Sequence, residues 1–330
     1  MTELTRRSAL RAGAALAVTA TAAQAQTTRW QMATPYPDGN FHTVNNREFI
    51  KEIEAASGGK LAVQMHTNAA LLKMGEIKRG VQTGQVQLGE ILISAYGNED
   101  PFFEVDGIPQ LVTSYPQARK LADLSRPFIE ARLQRQGIAL LYMVPWPPSG
   151  FYTTETMPSL ELLKGKKFRT YNVMTNRFAT LVGATPTLVQ QAEVPQAFAT
   201  GVINAMVTSA QTGVDVQAWD FVKFFTPIGF TWTKNMVMVS QRALSALPAD
   251  LQAKIREAAK TAETRGWKAS EEAKAAMEKA LAEKGMKVEQ PSPKLMAEMD
   301  AVGRTITDEW IAKAGEDGKK LIEAYRAAIA

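Results

Sequence analysis

The sequence has 330 residues, no cysteine and only two histidines, His42 and His66. The absence of cysteine excludes disulfide bonds, thiol nucleophiles, iron–sulfur clusters and thiolate zinc sites. Two imidazoles are too few for a multi-histidine metal centre. Basic and acidic residues nearly balance, 38 against 33, and the excess is spread thinly, so no nucleic-acid-binding surface is expected. The length and the 45% hydrophobic content allow one large domain or two ordinary ones.

Long apolar runs are also missing. The run at residues 12–23 has about 12 residues, whereas a membrane-spanning helix needs about 20. It follows a basic stretch with two adjacent arginines and ends in Ala-Gln-Ala at Ala25, which is typical of an export signal. We expect residues 1–25 to be removed after about Ala25, through the twin-arginine or the Sec route. An amphipathic N-terminal helix is the alternative. The mature protein is expected in the periplasm.

Short strand and helix patterns alternate along most of the chain, which predicts α/β layers. The pattern breaks near residues 146–150 and then begins again, and a strand at 237–240 is expected to return to the first set. These features predict two lobes. Lobe I comprises residues 26–147 and 235–285, and lobe II comprises residues 148–234 and 286–330.

The segment at about 249–284 is rich in Ala, Glu and Lys and contains no proline. A helix of that length would span about 50 Å, which is enough to brace both lobes. A coiled-coil dimer is the alternative, but the apolar positions are too sparse for a strong heptad seam.

Several short motifs follow one another in a fixed order. They are Ser-Gly-Gly-Lys-Leu at 57–61, Gly-Val-Gln-Thr-Gly at 80–84, Leu-Leu-Lys-Gly-Lys-Lys-Phe-Arg at 162–169, Gly-Ala-Thr-Pro at 183–186, Glu-Val-Pro-Gln-Ala at 193–197 and Gly-Val-Ile-Asn at 201–204. The chain, over about 27–330, resembles the DctP-type solute receptors of TRAP (tripartite ATP-independent periplasmic) transporters. The resemblance implies a two-lobed, type II-like periplasmic-binding-protein fold with hinge strands and no cofactor. It also implies delivery of an organic acid to small and large membrane permease subunits. We expect a monomer.

The resemblance places the carboxylate-binding arginine of the family at Arg169, at the end of a predicted strand. A planar guanidinium can bind a carboxylate through two hydrogen bonds, which a lysine cannot do. Without the resemblance, such an arginine would be interpreted as part of a surface ion pair. Asn172 is either a ligand-contacting amide or a turn residue. Gln191 is expected to project toward the same cleft.

Three departures from the family restrict the ligand. Residues 148–152 lack the second arginine of sugar-acid receptors, and residues 91–95 lack the Glu and Arg of sialic-acid receptors. Val207 and Thr208 stand where keto-acid receptors that bind through a metal ion have Glu-Trp. A metal-bridged ligand is therefore disfavoured, and no metal site is expected.

The remaining residues of the expected cleft are mainly aromatic. They are Trp146, Phe151, Tyr171, Phe178 and Trp219. Unpaired sugar hydroxyls or a second carboxylate would be destabilised there by about 1–3 kcal/mol per group, whereas an apolar body would gain about 25 cal/mol per Å². The sequence therefore predicts a small monocarboxylate with an apolar or aromatic body. The alternative is that these rings pack the cores. Thr208 and Ser94 are candidate polar contacts, and His42 either lines the cleft or is structural.

Other functions remain as alternatives. A sugar-acid or dicarboxylate receptor of the same family is one, and a receptor that serves a histidine kinase or an ABC importer is another. A secreted hydrolase or lyase on an α/β scaffold is the third. The sequence contains no Gly-x-Ser-x-Gly, phosphate-loop or His-Glu-x-x-His motif, so we do not expect an enzyme.

Overall fold

The computed structural model describes residues 27–330, and the predicted export signal at 1–25 lies outside them. Within this range no helix is both long enough and apolar enough to cross a membrane. The strands of the described residues are β1 (Thr28–Ala33), β2 (Leu61–His66), β3 (Leu88–Leu92), β4 (Ile138–Pro145), β5 (Ser149–Thr153), β6 (Lys167–Thr170), β7 (Thr185–Leu188), β8 (Ala205–Ser209), β9 (Phe224–Thr226), β10 (Lys234–Ser240) and β11 (Lys287–Val288). The α-helices are α1 (Phe41–Ala56), α2 (Ile77–Thr83), α3 (Tyr115–Gln134), α4 (Val173–Leu181), α5 (Val194–Ala199), α6 (Ala210–Asp215), α7 (Gln241–Ser245), α8 (Ala249–Glu283) and α9 (Pro293–Ile329).

The first sheet has the strand order β2-β1-β3-β10-β4. Strands β1, β2 and β3 are parallel, and β10 is antiparallel to both β3 and β4. Strand β10 is the returning strand that the sequence predicts, and it begins three residues earlier, at Lys234. Every residue of β3 and β10 is buried, and all of their side chains except Glu90, Lys234, Asn235 and Ser240 are apolar or glycine.

The second sheet has the order β11-β9-β5-β8-β6-β7. Strand β6 lies parallel to β7 and β8, whereas β5 is antiparallel to β8 and β9. Two mixed sheets with helices packed on them confirm the predicted α/β class.

The chain passes between the two sheets after β4, before β10 and again along α8, and the first two of these connections are adjacent. Trp146 N donates to Thr233 O at 2.8 Å, and Ser149 N donates to Thr231 O at 3.2 Å. The two connections therefore run side by side, and the first coincides with the break predicted near residues 146–150.

Helix α8 is the long helix predicted at about 249–284. Its 35 residues correspond to about 50 Å. It packs against α1 and β4 beside the first sheet, and against α6 and β11 beside the second. Arg265 anchors it to α1 by donating to Asn45 Oδ1 at 2.7 Å and to Glu52 Oε1 at 2.6 Å. The helix therefore contacts both halves of the molecule.

Candidate ligand-binding site

A small cavity lies where the two sheets meet, beside the paired connections. The space inside it amounts to about 370 Å³, part of it open to solvent. Its lining residues are Tyr36, Met74, Leu92, Trp146, Ser149, Arg169, Tyr171, Gln191, Thr208, Ser209, Thr212 and Thr233. We call this space the Arg169 cavity, because Arg169 is the only cationic residue among those that line it.

Arg169 is the third residue of β6, where neighbouring parallel strands cover it on both sides. Its side chain is only 3% exposed. The Nε–H donates to Val189 O at 3.0 Å, and the guanidinium carbon lies 5.1 Å from the centre of the Tyr171 ring. These contacts hold the guanidinium in place. Among the described residues, no protein hydrogen bond involves the two terminal nitrogens.

Arg169 differs from the other buried cations of residues 27–330 in having no carboxylate partner. Lys234 Nζ lies 3.0 Å from Asp106 Oδ2, and Lys78 Nζ lies 2.5 Å from Glu99 Oε2. Burial lowers the pKa of Arg169 to about 10, a fall that Tyr171 and Tyr36 oppose. The group is still charged at neutral pH. A buried, unpaired charge is unfavourable, so the cavity is suited to an anion.

Hydroxyl and amide groups of the second sheet surround the rest of the cavity. Thr208 is on β8, and Ser209 caps α6 by accepting from Thr212 N at 3.2 Å. Gln191 Nε2 donates to Asp215 Oδ2 at 3.1 Å, which fixes the Gln191 amide. These groups can donate to or accept from a small polar ligand.

The opposite wall rests on a buried hydrogen-bond network. Asn235 Oδ1 accepts from Trp146 Nε1 at 2.8 Å and from the Tyr36 hydroxyl at 3.1 Å. Asn235 Nδ2 donates to Glu90 Oε1 at 3.0 Å. Burial raises the pKa of Glu90 to about 7, although hydrogen bonds from Thr34, Asn235 and Asn46 oppose the shift. Burial beside Glu90 also raises the pKa of Tyr36 well above its ordinary value, so its hydroxyl keeps its proton.

His42 lies behind this wall. Its ring centre is 4.5 Å from that of Trp146, and its Nδ1 is 3.5 Å from Glu90 Oε1. Burial lowers the pKa of His42 well below its ordinary value, so the imidazole is neutral at pH 7. It supports the Trp146 ring and does not line the Arg169 cavity.

The chain matches the family described as DctP, bacterial extracellular solute-binding protein, family 7, over residues 34–314. The match covers most of the chain. The chain belongs to this family. It is therefore a solute-binding receptor and not an enzyme, as the sequence predicts.

Solved structures of similar receptors agree with this assignment. DctP7 of Bordetella pertussis, described as binding pyroglutamic acid, is 45% identical with a TM-score of 0.90, and the match covers 91% of this chain and 100% of that one. DctP6 of the same organism, also described as binding pyroglutamic acid, is 42% identical with a TM-score of 0.89 and the same coverage. A TRAP protein from an unidentified marine microbe, with co-purified pyroglutamate, is 34% identical with a TM-score of 0.89, covering 92% of this chain and 99% of its own. The two-lobed periplasmic receptor fold that the resemblance implies is thus confirmed.

The structure of this DctP-family receptor brings five predicted site residues to one cavity. They are Arg169, Trp146, Tyr171, Gln191 and Thr208. Two others meet beside it, where Asn172 Nδ2 donates to Ser94 Oγ at 2.8 Å. Asn172 also caps α4 by accepting from Thr175 N at 2.8 Å, so it acts as a cap and as a bond between the two halves. It lines a neighbouring outer cavity, whose space of about 920 Å³ is partly open to solvent.

Phe151 and Phe178, two of the rings expected in the cleft, lie in the core of the second half instead. Their ring centres are 5.6 Å apart, and Phe230 packs against both. Phe151 shares a face of β5 with Ser149, which lines the cavity, but it lies about 7 Å further along the strand. There α4 covers it. Trp219 is also outside the cavity lining, with Lys284 Nζ 5.5 Å from its ring centre.

The sequence analysis did not single out Tyr36, Glu90 or Asn235 as individual site residues. Glu90 interrupts an otherwise apolar strand, a signal that could have marked it, whereas Asn235 follows Lys234 at the polar beginning of β10. Their contact, however, depends on the antiparallel pairing of β3 and β10, which are 145 residues apart at these positions. Among residues 27–330, no group of three or more acidic or histidine side chains could hold a metal ion.

Proposed function

We propose that this receptor binds pyroglutamate, or a closely related small monocarboxylate, in the periplasm and delivers it to the membrane subunits of a TRAP transporter. The carboxylate pairs with Arg169. The body of the ligand packs between the Trp146–Tyr36 wall and the hydroxyl groups of Thr208 and Ser149.

The observation that supports this proposal most strongly is the buried guanidinium without a carboxylate partner. A ligand carboxylate would supply the missing charge and accept hydrogen bonds from both terminal nitrogens of Arg169. The three relatives described as binding pyroglutamate are 34–45% identical to this chain, which supports the choice of ligand.

The residues that line the Arg169 cavity argue against the alternative ligands. No second cation lines the Arg169 cavity among the described residues, so the second carboxylate of a dicarboxylate would have no partner. A sugar acid would place several hydroxyls against Met74, Leu92 and the Trp146 ring. Unpaired polar groups of this kind are unfavourable by about 1–3 kcal/mol each.

We further propose that the lobes, 26–147 with 235–285 and 148–234 with 286–330, close around the acid. Hydrogen bonds already join the two halves in this conformation, from Asn172 to Ser94 and from Asn40 Nδ2 to Asp215 Oδ2 at 2.7 Å. A ligand that contacts both lobes shifts the population toward the closed form.

A thermal-shift comparison tests the proposed ligand. Pyroglutamate at about 100 times its dissociation constant adds about 2.7 kcal/mol to the stability of the native state, which raises Tm by about 4 °C. Succinate and galacturonate at the same concentration should shift Tm by less than about 1 °C. A larger shift with either comparator than with pyroglutamate would reject the proposed ligand.

A further inference from the structure

In the wall that faces Arg169, every side-chain hydrogen-bond donor is already bonded to another protein atom. This first-lobe wall consists of Tyr36, Met74, Leu92 and Trp146. Trp146 Nε1–H and the Tyr36 O–H both donate to the same atom, Asn235 Oδ1. Met74 and Leu92 have no polar side-chain atom that donates.

The chemistry of the indole fixes the orientation of the Asn235 amide. Because Nε1–H can only donate, the atom that faces it at 2.8 Å must be the amide oxygen. The amide nitrogen then faces Glu90, which accepts from it at 3.0 Å. Glu90 is in turn held by Thr34 Oγ1 at 2.7 Å and Asn46 Nδ2 at 2.6 Å.

This arrangement determines what Tyr36 can offer to a ligand. Its hydrogen is committed to Asn235, and among the described residues no other hydrogen bond uses the hydroxyl oxygen. A phenol oxygen can accept as well as donate, so this oxygen remains free to accept. Among the described residues, the side chains of the first-lobe wall therefore present one acceptor, apolar surface and no donor.

We propose that the Tyr36 oxygen accepts a hydrogen bond from an N–H group of the ligand, so that the receptor selects small carboxylates that also carry an N–H donor. The inference rests on the proposed function, since it takes the carboxylate to pair with Arg169. It goes further because it defines a second recognition element on the other lobe. A ligand with a carboxylate and an N–H group requires donors on one side of the cavity and an acceptor on the other. Arg169 supplies the donors on the second-lobe side, and the Tyr36 oxygen supplies the acceptor on the first-lobe side.

Matched pairs of acids that differ only in N–H against O test this inference. Calorimetry would compare pyrrole-2-carboxylate with furan-2-carboxylate, and pyroglutamate with its lactone analogue, 5-oxotetrahydrofuran-2-carboxylate. We expect the N–H member of each pair to bind at least about 10-fold more tightly, because a ring oxygen would face the Tyr36 oxygen with no hydrogen between them. Equal affinities within the pairs would overturn the inference while leaving the proposed function in place.

The variant Tyr36→Phe removes the acceptor and should reduce the N–H preference to about 2-fold or less. Tyr325→Phe is the matched control, since the Tyr325 hydroxyl donates to Leu111 O and lines no part of the cavity. It should leave the preference unchanged. A full preference retained in Tyr36→Phe would overturn the inference, and the wild-type comparison decides if this variant does not fold.

The same experiment separates this inference from the proposed ligand. If pyroglutamate fails to bind but pyrrole-2-carboxylate binds more tightly than furan-2-carboxylate, the proposed ligand is wrong and the N–H preference is supported. If none of the four acids binds, both proposals are wrong.

Discussion

At the scale of single residues, the site contains two buried ionisable groups, Arg169 and Glu90, whose hydrogen-bond partners differ. Arg169 lacks a protein carboxylate, whereas Glu90 receives hydrogen bonds from three neutral donors and no cation. The first group is suited to an incoming anion. The second orients Asn235 and, through it, the wall of the cavity.

The buried Glu90 should make stability depend on pH. Its pKa is raised from an ordinary value of 4.5 to about 7, so the native state binds this proton more tightly than the unfolded chain. The free energy of unfolding should therefore fall as pH rises from about 4.5 to about 7. In Glu90→Gln this contribution, about 1–3 kcal/mol, is absent. Urea denaturation of both proteins across this pH range measures the difference.

His42 acts in the opposite direction, because burial lowers its pKa and its contribution is lost as pH falls below about 6.5. The prediction therefore concerns the difference between wild type and Glu90→Gln. Both proteins contain His42, so its contribution cancels in this difference. Glu130→Gln, at an exposed position on α3, is the control and should leave the pH profile unchanged. Parallel profiles for wild type and Glu90→Gln would contradict the account.

Residue by residue, the sequence predicts the second-lobe side of the site better than the first-lobe side. Arg169 and Gln191 lie on or beside motifs that are contiguous in the chain, so a family resemblance can locate them. Tyr36 and Asn235 are in contact only because the loop that follows β1 lies next to β10 in the folded protein. No local pattern encodes that contact. Phe151 shows a related limit. The alternation of side chains along a strand predicts which face of the sheet a residue occupies, but not how far along that face it lies from the cavity.

At the scale of elements, helix α8 was the most predictable feature, because its composition and lack of proline are local properties. The predicted range of about 249–284 agrees with the observed Ala249–Glu283. Its partners were less predictable. The sparse apolar positions that argued against a coiled coil are explained by close packing on β4 and α1 through small residues such as Ala262 and Gly266.

Gly266 should not tolerate a methyl group, although alanine normally favours helices. A Cβ at this position would clash with Val144 and lie 2.9 Å from Asn45 Nδ2. Gly266→Ala should therefore reduce the free energy of unfolding by about 1–3 kcal/mol, against a gain of about 1 kcal/mol at an exposed site. Urea denaturation, with Lys268→Ala as the exposed control on the same helix, gives the value. A more stable Gly266→Ala protein would show that α8 packs less closely.

At the scale of the whole molecule, the two halves meet at the cavity, along α8 and through direct hydrogen bonds from Asn172 to Ser94 and from Asn40 to Asp215. Asp215 carries one of these bonds. Its carboxylate accepts from Asn40 in the first half and from Gln191 and Gln211 in the second. A lining residue of the cavity is thus connected to the bond that joins the lobes.

Asp215→Asn should weaken ligand binding about 10-fold without altering a lining residue. The substitution places an amide NH₂ among three amide donors, which destabilises the closed form. Asp220→Asn, an exposed change five residues further along the chain, is the control. Calorimetry gives the affinity, and small-angle scattering with saturating ligand shows whether the variant still closes. If Asp215→Asn binds the ligand with wild-type affinity, the hydrogen bond between Asn40 and Asp215 does not contribute to closure.

The central claim, that Arg169 binds the carboxylate of the ligand, is tested most directly by calorimetry on Arg169→Ala with pyroglutamate. We expect affinity to fall at least about 30-fold, or about 2 kcal/mol, while the ligand-free variant stays folded because it loses an unpaired buried charge. Arg169→Lys should recover only part of the affinity, and Arg177→Ala, which removes a surface ion pair with Glu309, should bind as the wild type does. Unchanged affinity in a folded Arg169→Ala protein would contradict the account.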